Sequence, residues 1–358
     1  MSKLSELLSR IEASEFYFRF QKMENKKKKF SIGTIAVLSL FFPVLFSGYI
    51  KTILIFILIY SLVGIGIYLL IGHAGIISLG QVGFYCIGAY TSALLSIHLG
   101  LSPWIGLCCA AAINGGIAYI LGRPFLEETR GGMPLALAII TLAFSVVIYL
   151  VVTRLPFTGG HDGIAGIPPF SIGGVKFGDD QCYYLLWAIV GLALLFTYNL
   201  TELKIGRGLR SLNEFAGGNE VAAFTSGLDV SKLRIQAFVI SAVCASIAGS
   251  IYAHWLRCVV PESFNVVVNL IFVMMVGIGG FRSLWGALVG SAFYFGLKEV
   301  LSLFMGKQAL LGWESIIFSL IFIIILIFVP GGITSLPDKW REWTHRREEV
   351  VSKREYFD

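Results

Sequence analysis

The sequence predicts an all-α, polytopic membrane protein of about ten transmembrane or re-entrant helices, with both termini cytoplasmic. Three observations carry this expectation. Hydrophobic residues make up 56% of the 358 and charged residues only 14%, against roughly 45–50% and about 25% in soluble domains, and the mean hydropathy is +0.79. Long stretches hold no Asp, Glu, Lys or Arg. The basic residues recur at intervals that fit one side of a membrane. A soluble chain with so few charges would expose large apolar patches and aggregate, so soluble enzymes, nucleic-acid binders and secreted disulfide scaffolds are excluded.

Charge-free runs longer than about 18 residues read as spans. The first covers 30–50, as long as a true span and without a small-residue cleavage site. From Thr52 to Gly122 there is no ionisable acid or base other than histidine, cysteine and tyrosine, and that stretch fits three passes, broken near Gly72-His73 and at Gly100–Pro103. Further runs cover 131–153, 181–201, 235–256, 263–281, 283–303 and 314–336. With the N-terminus inside, the tail 1–30, residues 123–130, residues 201–234, Arg282 and the tail 337–358 hold 22 of the 28 Lys and Arg, as the positive-inside rule requires. The organisation expected is thus a basic, amphipathic N-terminal tail over 1–30, with Leu4, Leu7, Leu8 and Ile11 at helical spacing before four lysines. A membrane domain follows over 31–336, with an outer loop 154–181 and a cytoplasmic loop 201–233. A cytoplasmic tail closes the chain at 337–358.

The membrane region has little that could do catalysis or gradient coupling. Intramembrane charge is confined to Lys298-Glu299, whose side chains point about 100° apart on a helix and do not share one site. The six cysteines form no CxxC pair and no Cys/His cluster with metal-ligand spacing, so no metal site is expected. There is no phosphate-binding G-x-x-x-x-G-K-[ST] loop, so if ATP is used, another chain must hydrolyse it.

What the region does have is glycine, 40 residues of it. In 72–88, GHAGIISLGQVGFYCIG, Gly72, Gly75, Gly80, Gly83 and Gly88 interrupt the apolar run and Ser78 and Gln81 add polar groups. Irregular backbone at membrane depth is tolerated only where protein or a water-filled cavity satisfies it. The segment therefore either lines a path or is a tight helix crossing. A similar texture returns at 277–290, with Ser283 and Gly286. The glycines and prolines of 154–181 predict ordered turns. In the 201–233 loop, Asn219 can cap a short helix over Glu220–Ala223 that Gly227 stops; such a helix can dock into a partner's groove or lie on the membrane.

Six motifs in order, GHAGIISLGQVGFYCIGAYTSALL, RGGMPLALAIITLAFS, FTGGHDGIAGIP, E-x-A-A-x3-G, AFVISAVCASIAGSIYAH and GGFRSLWGALVG, run from Tyr49 to Pro330. In these the chain resembles the permease subunits of ABC importers for branched-chain amino acids, the LivM-like member of the pair. The resemblance implies a second homologous permease, two cytoplasmic ATPases that hold the ATP and Mg, and an extracytoplasmic substrate-binding protein. It implies a multi-pass chain of the inner or plasma membrane that is itself no enzyme, carries no cofactor and has no nucleic-acid partner. Glu220, Ala222, Ala223 and Gly227, with Arg207 and Arg210 before them, are similar to the element that seats in an ATPase cleft. Here SLNEFAGGN separates the basic G-R-x-L-R segment from that element, several residues more than the family pattern. The translocation path is expected along Gly72, Gly75, Ser78, Gly80, Gln81, Gly83, Ser283 and Gly286. Alternatives are a permease of the same family for urea or short amides, and a stand-alone channel for a small neutral solute.

Overall fold

The computed structural model describes residues 48–127, 134–203, 206, 208–209, 229–305, 313–329 and 331–336. Two compact units divide at Lys51, and of the first only Gly48–Lys51, the opening turn of a helix, is described. Among the described residues nine α-helices follow one another: α1 Gly48–Ile67, α2 Gln81–His98, α3 Pro103–Glu127, α4 Pro134–Arg154, α5 Asp179–Glu202, α6 Val230–Leu256, α7 Val266–Gly279, α8 Gly286–Met305 and α9 Trp313–Phe328. A π-helix, Tyr68–Ala74, continues α1. The expected run 30–50 lies outside the described residues up to position 47.

Among the described residues, seven helical stretches are long and apolar enough to cross a membrane: Gly48–Ala74, Pro103–Leu126, Ala136–Arg154, Asp179–Glu202, Val230–Leu256, Gly286–Phe304 and Ser315–Ser335. The two helices outside this set, α2 and α7, have a common reason. Other helices enclose most of both, so α2 carries Gln81, Ser92 and Ser96 buried, while α7 spans only 14 residues and keeps Val267 and Leu270 exposed on one face. The outer helices show the opposite pattern. Leu192 and Leu195 on α5, Leu303 and Phe304 on α8, and Ile327 and Phe328 on α9 present bare apolar side chains, which suits acyl chains and not water.

Small residues decide how the helices cross. Gly88 of α2 lies against the Ser246 backbone and Gly249 of α6 against Tyr85 and Ala89. Gly66 of α1 meets Ser241, and Gly290 of α8 meets the Met275 carbonyl of α7. Such contacts let backbones approach closely and recover dispersion energy where no hydrophobic drive exists. Hydrogen bonds between buried polar groups fix the register: Ser61 with Ser291 Oγ at 2.6 Å, Asn114 Nδ2 to Ser246 Oγ at 2.7 Å, Ser250 Oγ to the Gly88 carbonyl at 3.0 Å, and Ser92 Oγ with His254 Nε2 at 2.8 Å. Contacts between α2 and α6 advance together along both chains, so these helices run parallel. The Gly66–Ser241 contact and the packing of Phe56 on Tyr252 and Trp255 make α1 antiparallel to α6.

Between α4 and α5 the chain forms 3-10 turns at Pro156–Thr158 and Gly160–Asp162, then β1 Ile164–Ala165, β2 Ser171–Ile172 and β3 Val175–Lys176. β2 pairs antiparallel with β3, and β1 pairs antiparallel with β4, Cys258–Val259, just after α6. His254 holds this layer: its Nδ1 donates to the Pro168 carbonyl at 2.7 Å, and its Nε2 lies 2.8 Å from Ser92 Oγ on α2. All six cysteines are free.

Candidate functional site

Gly75 ends the π-helix in the left-handed conformation, φ 65°, which glycine adopts without a Cβ penalty. Its N–H and that of Ile76 both close on the Leu70 carbonyl. Residues 76–80 then have no regular secondary structure, with Ile76, Ser78 and Gly80 buried and Ile77 and Leu79 half-buried between them. Since Phe84 lies level with Ser246 through the Asn114 amide, which donates to Phe84 O and to Ser246 Oγ, α2 begins well inside the bundle, near the middle of α6. The break is therefore an irregular backbone within the helix layer, and its polar groups need protein partners.

Those partners come from α4 and α7. The Leu79 N–H donates to Thr141 Oγ1 at 3.0 Å. The Leu79 carbonyl accepts from the Asn269 amide, and Ser145 Oγ lies 3.5 Å away. Asn269 Oδ1 accepts from the Val82 N–H at 3.3 Å, so one fully buried asparagine clamps the break on both sides. Gly80 and Gly83 make room for this: a methyl on Gly80 would press on the Thr141 carbonyl, and one on Gly83 on the Phe144 ring and Ser145. Asn265 caps α7 through the Val268 N–H at 3.1 Å and so places Asn269 in the second turn.

Two polar side chains of the break are buried without hydrogen-bond partners, Ser78 at its hydroxyl and Gln81 at both amide atoms. Together they offer a hydroxyl, an amide donor and an amide acceptor with no formal charge, which suits a small polar or zwitterionic solute.

The expected path residues fall into two groups. Ser78, Gly80, Gln81 and Gly83 gather around the break against α4 and α7. Gly72, Ser283 and Gly286 belong to a glycine seam, where Gly72 lies on the Phe281 carbonyl, Gly286 on Gly279 and Gly280, and Gly280 on Gly331 and Gly332. Gly75 joins the two groups. The similar textures at 72–88 and 277–290 are thus neighbours in space at Gly72 and Phe281. Thr141, Ser145 and Asn269 were not singled out from sequence; the available signal was their polarity within apolar helices.

Arg207, Arg210, Glu220, Ala222, Ala223 and Gly227 lie outside the described residues. Their exit is described: Asp229 caps α6, accepting from the Lys232 N–H at 3.1 Å and pairing with its Nζ at 2.8 Å. The hydrogen bond from the Lys232 side chain, with that from its backbone, holds the Asp229 carboxyl below its ordinary range. A depressed carboxylate pKa means its contribution is present above the unfolded value and fades as pH falls through the folded one. Asp229→Ala is expected to remove about 1 kcal/mol of helix stability at neutral pH, read as a small drop in melting temperature in detergent, and the difference is expected to shrink as the pH is taken down through and below the ordinary carboxylate range.

A bundle of apolar helices long enough to cross a membrane, packed around a buried helix break, defines a multi-pass membrane protein. The chain belongs to the family of branched-chain amino acid transport system permease components, which it matches over residues 49–329. It is similar to the high-affinity branched-chain amino acid transport system permease protein LivM of Escherichia coli K12, 29% identical over 77% of this chain and 69% of that one. The probable LivM of Methanocaldococcus jannaschii is 26% identical over 81% of this chain and 94% of its own length. The guanosine ABC transporter permease protein NupQ of Bacillus subtilis is 25% identical over 64% of this chain and 74% of that one.

Proposed function

We propose that this chain is a transmembrane permease subunit of an ATP-driven importer that moves branched-chain or related hydrophobic amino acids delivered by an extracytoplasmic binding protein. The observation that carries this reading is the family match over 49–329, which takes in α1 from its second residue through the whole of α9. In this account a second permease completes the path, two ATPase chains bind ATP and Mg on the cytoplasmic side, and the chain crosses the inner membrane about ten times with both termini inside.

The helix break supplies the moving part. Gln81 and Ser78 are buried without partners, and each such group costs about 1–3 kcal/mol. A second state in which α4 and α7 draw back from the break would hydrate these groups or present them to the solute. ATP binding shifts the balance between the states through the 201–233 loop, by binding one of them more tightly.

The test of this coupling is Glu220→Lys. It is expected to abolish recovery of the ATPase chains in a mild-detergent pull-down while the variant still inserts into the membrane. ATPase recovery equal to the wild type would remove the coupling role from this element. The similarity to NupQ favours a second reading, in which the same machinery carries a nucleoside; competition of labelled leucine uptake by unlabelled guanosine separates the two.

A further inference from the structure

A cleft of about 610 Å³ opens at the C-terminal ends of α2 and α6, within the range of small-molecule sites. Its walls are the turn at Gly100–Pro103, the stretch Gly166–Pro169, Ser171, Lys176 and Arg257, with Ser96 below. We propose that this cleft binds the carboxylate of a small amphipathic acid, an amino acid in the first instance, with Arg257, Lys176 and Ser96 as its recognition groups. The inference deepens the permease reading and rests on it for the placement of the cleft at the extracytoplasmic mouth.

Charge points to the ligand. Both ionic residues lining the cleft are cations, no Asp or Glu lines it, and among the described residues neither cation has an ion-pair partner. Ser96 Oγ is buried with no hydrogen-bond partner, so a donor waits at the apolar end of a basic cleft. A guanidinium and a carboxylate meet through two parallel hydrogen bonds, and a hydroxyl can add a third.

Arg257 is the only described residue other than glycine with a left-handed backbone, at φ 58°. A residue with a side chain is strained in that conformation and persists in it where its surroundings impose it. Here they do: the Arg257 N–H closes on the Ala253 carbonyl at 2.9 Å and its carbonyl accepts from Ile167 at 3.1 Å. The opposite wall is equally fixed, through His254 on the Pro168 carbonyl and Trp104 Nε1 on the Ser171 carbonyl at 3.0 Å. Helix end, strand pair and loop thus hold the cleft open before a ligand arrives, which lowers the ordering cost of binding.

The same geometry supplies a variant that keeps the fold. Arg257→Gly removes the guanidinium and relaxes the backbone, because glycine occupies the left-handed region freely. The experiment is saturation-transfer NMR on the full chain with its co-purifying subunits in lipid nanodiscs, without binding protein. The probes are leucine, 4-methylpentanoate (no ammonium) and 3-methylbutylamine (no carboxylate), each at millimolar concentration. Leucine and 4-methylpentanoate are expected to show saturable transfer and the amine none, with Arg257→Gly weakening the acids roughly tenfold or more and Lys176→Gln weakening them less. Equal transfer from the amine, unchanged binding in Arg257→Gly, or no transfer from either acid would overturn the proposal. Absence of acid binding together with weakened docking of the binding protein to Arg257→Gly would assign the cleft to a protein side chain and overturn it as well. Leucine uptake by the wild-type complex is measured alongside: uptake without acid binding rejects the cleft and leaves the permease reading standing, whereas absence of amino-acid uptake rejects the substrate of that reading independently of the cleft.

Discussion

Replacing Asn269 by leucine is expected to abolish transport and to lower thermal stability in detergent. Leucine keeps the branching of asparagine but is bulkier and has no hydrogen-bonding atoms, so it crowds the Leu79 carbonyl and the clamp disappears. The Val82 N–H loses its acceptor and the Leu79 carbonyl keeps only the distant Ser145 hydroxyl. Each buried backbone group so abandoned costs about 1–3 kcal/mol, and the break has no water to turn to. Asn269→Asp keeps the acceptor for Val82 but removes the donor to Leu79 and adds a buried charge, so it is expected to fail too. Asn269→Gln is expected to restore part of the stability. The checks are the melting temperature of purified protein and ATP-dependent uptake. A leucine variant as stable and active as the wild type would mean that the break is satisfied elsewhere.

The second large effect belongs to Gly249. A side chain there would occupy the space of the Tyr85 carbonyl and press on the Ala89 N–H, both backbone atoms of α2 that cannot rotate away. Gly249→Val must therefore push α2 and α6 apart, and with them the Ser250–Gly88 and Ser92–His254 hydrogen bonds. Overpacking of this kind costs several times the ~1 kcal/mol that a single methyl usually does, and the expected result is loss of the monodisperse peak in size-exclusion chromatography. Gly191→Ala is the control: it is helical too, but a methyl there meets nothing within 4 Å. That variant is expected to elute like the wild type.

Most helices were legible because a lipid-facing helix must be apolar throughout its length. The runs read at 131–153, 181–201 and 283–303 lie over α4, α5 and α8 to within a few residues. The split of 52–122 into three was legible as well, since Gly100–Pro103 reads as a turn and Pro103 opens α3. The break read at Gly72-His73 falls inside the π-helix, and the non-helical part lies at 75–80. Glycine texture located the irregularity but not its boundary, because Gly75, not Gly72, takes the left-handed conformation.

The candidate site was half legible. Ser78, Gly80, Gln81 and Gly83 stood out as polar or small residues in one run. Thr141 and Ser145 share one face of α4 and Asn269 lies 128 residues beyond Thr141 on α7, and nothing in their spacing says that they meet Leu79. The basic cleft was hidden for a similar reason: Lys176 and Arg257 are far apart in sequence, and the β1–β4 pairing that gathers its walls involves two residues from each strand.

Uptake in proteoliposomes separates an ATP-driven permease for hydrophobic amino acids from a passive channel. The full complex pulled down with this chain is reconstituted with ATP inside a regenerating buffer on the side of the ATPases and labelled leucine with its binding protein on the other. The account predicts accumulation of leucine against its gradient that requires ATP, is competed by isoleucine and valine, and disappears with Glu220→Lys. Leucine entry that proceeds without ATP and stops at equal concentrations would contradict it and make the chain a channel.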